Sequence, residues 1–103
     1  MAQFSVRVEL HAASYADYEK LHVSMERRGF SRLIKSDAGK TYHLPTAEYD
    51  GSGDVTCQQV LEFAKAAAAE TGKNFEVFVT ESAGRLWFGM KEVPVNRQFA
   101  NCR

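Results

Sequence analysis

Residues 3 to 11 alternate strictly, with Phe4, Val6, Val8 and Leu10 interleaved by Ser5, Arg7, Glu9 and His11. A period of two marks a strand with one face buried and one face polar, so this segment predicts a first strand. The period then lengthens. Tyr18, Leu21, His22 and Met25 recur at helical spacing, behind Ser14 and Asp17, which match a capping box, and ahead of Gly29, which can end a helix. A first helix over about residues 15 to 28 is expected. Phe30 to Lys35 and Lys40 to Leu44 are two short runs around the turn Asp37-Ala38-Gly39, which predicts a hairpin. Pro45 stops the second run, because it has no N–H for a ladder.

The stretch Thr46 to Asp54, TAEYDGSGD, is rich in Gly, Asp and Ser and reads as a loop and helix entry. Thr56-Cys57-Gln58-Gln59 is a second capping-box pattern. Val60, Leu61, Phe63, Ala64, Ala67 and Ala68 behind it form an apolar stripe that Thr71-Gly72 closes. Phe75, Val77 and Val79 alternate with Glu76, Phe78 and Thr80 to predict a fourth strand, and Arg85 to Met90 reads as a short fifth strand. The order is β-α-β-β-α-β with an extra C-terminal strand. That is an α+β, ferredoxin-like split-βαβ sandwich, with both helices on one face of an antiparallel sheet. The open face would carry Arg7, Glu9, His11, Thr41, His43 and Phe78.

A length of 103 residues supports one domain, taken as 1–93, with a flexible tail over 94–103. Hydrophobic residues at 45% and charged residues at 25% exclude collagen-like and disordered chains. No apolar run is long enough to span a bilayer, and the N-terminus lacks the basic and apolar regions of a secretory signal. A cytoplasmic protein with no membrane partner is expected. Thirteen basic residues balance thirteen acidic ones, so net charge does not announce a nucleic-acid binder. The charges are segregated, however. Lys20, Arg27, Arg28, Arg32, Lys35 and Lys40 precede His43, whereas Glu48, Asp50, Asp54, Glu62 and Glu70 follow it. Cys57 and Cys102 fit no metal-ligand or redox spacing, and no disulfide is expected between them.

Three histidines are the candidates for proton transfer near neutral pH. His22 falls on an apolar stripe and reads as a packed residue. His11 ends the first strand and His43 lies in the third. If those strands are neighbours, both imidazoles project onto the open face near Arg7 or Arg32. Such a trio could cleave RNA without a metal: one imidazole deprotonates the 2′-hydroxyl, the other protonates the leaving oxygen, and a guanidinium steadies the phosphorane. Convergent carboxylates for a two-metal site are missing, and DGSGD lacks the remaining ligands of a calcium loop, so neither metal nor cofactor is expected. Phe78, with one of Trp87 or Phe88, should stand away from the helices. There it could stack on bases or bury a homodimer interface.

The runs SYADYEKLHVSMERRGFSR (14–32), GKTYHLPTAEY (39–49) and VFVTESAGRLWF (77–88) resemble the GhoS-type endoribonuclease antitoxins, formerly a domain of unknown function. The similarity spans about residues 3 to 93. The resemblance implies a ferredoxin-like fold related to the small CRISPR-associated nucleases. It also implies cleavage of single-stranded RNA that silences the message of a small membrane toxin, a type V toxin–antitoxin arrangement. Those nucleases place an acidic residue at the end of the first strand, where this chain reads Leu10-His11-Ala12. That departure favours a metal-free mechanism. The expectation is therefore a homodimer that cuts toxin mRNA with His11, His43 and Arg32, and binds it through Arg7, Arg27, Arg28, Lys35, Lys40 and Phe78. The alternative is a non-catalytic binding module, of a mobile-element or phage type, that docks on a protein or nucleic-acid partner.

Overall fold

In the computed structural model, which describes residues 1–94, strand β1 (Ala2–Leu10) turns Phe4, Val6, Val8 and Leu10 into the core. Each such side chain contributes about 1.5–3 kcal/mol by leaving water. Helix α1 (Tyr15–Arg27) starts at the expected capping box, in which Ser14 and Asp17 satisfy each other's backbone N–H groups. It ends at Gly29, whose φ of 91° suits a residue without a side chain. Its buried stripe is Leu21, His22, Ser24 and Met25.

Strands β2 (Leu33–Lys35) and β3 (Thr41–His43) form the hairpin, shorter than its sequence runs, with Ile34 opposite Tyr42. Strand β4 (Glu48–Gly53) occupies what the sequence presents as a loop. Here tertiary structure overrides composition. Tyr49 is buried on the helix side of β4, and Gly51 lies flat beneath the ring of Phe30. Gly and Asp are poor strand formers in isolation, but pairing with β1 from Ala2↔Gly53 to Arg7↔Glu48 supplies the ladder.

Helix α2 (Cys57–Ala69) begins at the Thr56–Gln59 capping box and buries Val60, Ala64, Ala67 and Ala68. The three alanines let its backbone approach the sheet closely. Strand β5 (Phe75–Ser82) then pairs along the other edge of β1, from Leu10↔Phe75 to Gln3↔Ser82. The main sheet has the order β4-β1-β5, and the hairpin is a separate two-stranded sheet. One bridge, Ser31↔Asp50, joins the segment entering β2 to β4.

Because β4 and β5 both run antiparallel to β1, they are parallel to each other and joined through α2, with β1 between them. That is the split-βαβ arrangement, and both helices pack on the face carrying the even residues of β1. The extra C-terminal strand is reduced to a single bridge, Tyr42↔Glu92, and Arg85–Met90 forms no ladder. Gly89, with φ of 81°, breaks the extended backbone there. Of the expected tail, residues 95–103, including Cys102, lie outside the described residues.

Candidate functional site

The odd residues of β1 and their cross-strand neighbours make the face of the sheet that the helices leave open. The Arg7 guanidinium donates to Glu48 Oε1 at 2.9 Å and to Glu9 Oε1 at 2.6 Å. Arg85 lies over the other end of the same face, donating to Asp50 Oδ1, to Gln3 Oε1 at 3.0 Å and to Ser5 Oγ at 3.4 Å. His11 Nε2 stands 3.5 Å from Glu76 Oε1. Two guanidiniums thus face Glu9, Glu48, Asp50 and Glu76, so the open face carries an excess of carboxylate.

That arrangement corrects the expected pairing of His11 with His43. The strands flanking β1 are β4 and β5, whereas His43 pairs with Leu33 in the hairpin sheet. The apparent adjacency rested on reading 46–54 as a loop. Once those residues form the strand beside β1, β3 is displaced outward. Thr41 and His43 therefore leave the open face of the main sheet. Arg32 follows Ser31, which lies across from Asp50 on the open side, and alternation sends Arg32 to the helix side. There its charge acts on His22 and Tyr49. His11 and His43 thus belong to different sheets.

The expected RNA-binding residues are dispersed in the same way. Arg7 is committed to two carboxylates. Arg27 and Arg28 both reach Glu70 on α2, at 2.9 and 2.8 Å, and Ser24 donates to the same carboxylate at 2.7 Å. The Ser24 hydrogen bond, and then Arg28, hold the Glu70 carboxyl below its usual range. This cluster ties the two helices together. Lys40 closes the hairpin turn, where its carbonyl accepts from Ser36 N–H at 2.7 Å. Phe78 stands exposed on the open face opposite Arg7, as its alternation requires.

His22 is buried, and its Nδ1 is hydrogen-bonded to the Tyr49 hydroxyl at 2.6 Å. Burial and then Arg32 lower the imidazole pKa, while burial raises that of the Tyr49 phenol, so both groups stay neutral around pH 7. The pair is a packed hydrogen bond within the core, as the apolar spacing around His22 predicts.

The concave site adjoins the Arg85 end of the open face. A groove of about 820 Å³ runs between the hairpin and the segment after β5. Its walls include Gln3, Lys35, Ser36, Tyr42, Arg85 and Trp87. Tyr42 and Trp87 meet edge to face, their ring centroids 5.6 Å apart. Lys35 and Arg85 place two cations beside this aromatic pair, with Asp37 as the acidic wall residue. Leu86 and Phe88 on either side of Trp87 are wholly exposed.

Sequence reading found Lys35 but missed Tyr42, Arg85 and Gln3. The signal for Tyr42 was present in its alternation with His43, but its partner Trp87 lies 45 positions away and is joined to it only by the fold. Among the described residues no three His, Cys, Asp or Glu side chains form a metal-binding group, and no helix is long and apolar enough to cross a membrane. No protein-family model matches this chain, and no curated protein matches it.

Proposed function

We propose that this protein binds single-stranded RNA and acts as an antitoxin of the endoribonuclease type that its sequence resembles, silencing a toxin message. The observation that carries the reading is the groove, in which the Tyr42–Trp87 pair stands beside Lys35 and beside Arg85, whose guanidinium is itself paired to Asp50. Single strands are held by cations that follow the phosphates and by rings that stack on bases, and both kinds of group meet here. In this reading the carboxylate-rich end of the open face, around Glu9, Glu48 and Glu76, is not the RNA platform.

Binding of a fluorescently labelled, mixed-sequence single-stranded RNA tests the reading. With Lys35 on one phosphate and Arg85, still paired to Asp50, beside the next, the log–log salt slope should be no steeper than about −1.4. Trp87→Ala should weaken binding roughly tenfold, since one stacked base is worth about 1–3 kcal/mol. Lys35→Ala should lower the slope by about 0.7. Lys65→Ala, on the exposed side of α2, serves as the control and should change neither.

Cutting is assayed beside binding, with and without EDTA, in His11→Ala and His43→Ala. Binding that ignores Trp87 and Lys35 would overturn the groove reading. A salt-insensitive protein complex that depends on Leu86 and Phe88 would favour the docking module instead.

A further inference from the structure

The free edge of β5 offers a second surface, independent of the groove. Strand β5 has eight residues, and its only ladder among the described residues is with β1. The Asn74 carbonyl accepts from His11 N–H at 2.9 Å, which aims the backbone groups of the even residues at β1. By alternation, the N–H and C=O groups of Phe75, Val77, Val79 and Glu81 point outward. Exposed edges of this length are normally blocked by Lys, Pro or a bulge, because bare ladders recruit another strand. Between Phe75 and Ser82 the sequence FEVFVTES contains no Lys, Pro or Gly. At its centre Phe78 is 70% exposed on the open face.

We infer that this edge docks a second copy of the chain, β5 against β5, about a twofold axis at Phe78. A continuous sheet keeps its faces, so residues opposite each other must have the same parity. The register centred on Phe78 satisfies that rule and places Val77 opposite Val79 and Phe75 opposite Glu81. All four outward-facing residues of each copy then exchange hydrogen bonds. A register centred one residue away on Val79 leaves Phe75 without a β5 partner.

In the Phe78 register Glu76 faces Thr80, so neither glutamate of β5 opposes another carboxylate. Phe78 meets its own copy at a non-hydrogen-bonded position, where side chains approach most closely and aromatic pairs stabilise a sheet. The result is a six-stranded sheet with all four helices on one side.

Light scattering and sedimentation of the full chain, at concentrations up to about 100 μM where weak associations still populate, test the inference. The wild type should show a mass near twice 11.6 kDa. Phe78→Lys and Phe78→Glu, each at an exposed position, should give monomers of unchanged circular dichroism. An equimolar mixture of the two should restore the dimer, because opposite charges now meet on the axis. Val79→Pro removes an outward N–H and no bond to β1, and should also give a monomer. A wild-type monomer throughout that range would overturn the inference. So would a dimer that survives Phe78→Lys, or a Lys and Glu mixture that stays monomeric.

Discussion

Replacing Gly51 with alanine isolates the contact that lets the glycine-rich stretch Glu48–Gly53 form a strand beside β1. A Cβ added at Gly51 would sit 2.9 Å from Phe30 Cδ1 and 3.2 Å from Cε1. Carbon atoms in comfortable contact are about 3.5–4.0 Å apart, so roughly 0.6 Å of overlap must be relieved. The main chain around Phe30 is poorly placed to retreat. Phe30 N–H donates to the Met25 carbonyl at 3.1 Å, and Ser31 exchanges hydrogen bonds of 2.7 and 2.8 Å with Asp50.

The ring is itself buried, so it must move within a packed core. Overpacking of this kind costs about 1–3 kcal/mol. The lost chain entropy of glycine returns about 0.4–1 kcal/mol in the other direction. The net expectation is a destabilisation of about 1–2 kcal/mol, read as a lower urea midpoint with an unchanged slope. For a domain of this size that corresponds to a fall in Tm of roughly 5–15 °C. A double-mutant cycle with Phe30→Leu assigns the cause. The smaller side chain should absorb the new methyl, so the two changes together should cost at least about 1 kcal/mol less than their sum. A Gly51→Ala protein as stable as the wild type, or a cycle with no coupling, would refute the reasoning.

Other consequences follow from the same geometry. The lowered pKa of His22 means that the unfolded chain takes up a proton before the native one does. Stability should therefore be fully present above the ordinary histidine range and fall as pH drops through and below that range, a slope that His22→Gln should flatten in urea titrations. Tyr49→Phe leaves a buried His22 nitrogen without its partner and should cost about 1–3 kcal/mol by the same assay. Ala12, with φ of 51°, is held in the left-handed region, so Ala12→Val should destabilise by about 1 kcal/mol or more while Ala12→Gly should not, as thermal melts would report. Glu70→Gln removes the charge shared by Arg27 and Arg28 and should lower Tm most at low salt, where exposed pairs are least screened.

The elements whose pattern is local were legible in the sequence. β1 follows from strict alternation, and both helices from capping boxes and apolar stripes, because a helix start or a half-buried strand is written within a few residues. His22 was legible as a core residue for the same reason, and Phe78 as an exposed one. The split-βαβ order was legible from the succession of elements, but which side chains distant in the chain would meet was not. β4 looks like a loop because its glycines and aspartates are poor strand formers alone. Only the adjacent edge of β1, and the Phe30 ring lying on Gly51, make those residues a strand. That one change moved β3 away from β1, separated His11 from His43 and sent Arg32 to the helix side.

The candidate site was hidden for the same reason. Lys35, Tyr42, Arg85 and Trp87 belong to two segments more than forty residues apart. The chain encoded their chemistry, but Arg85 reaches the groove because Asp50 holds it over the sheet. Sequence determines directly what neighbouring residues settle through propensity, capping and periodicity. Burial against remote partners decides the rest, because the free energy that selects a strand order or assembles a groove exists only after the chain has closed on itself.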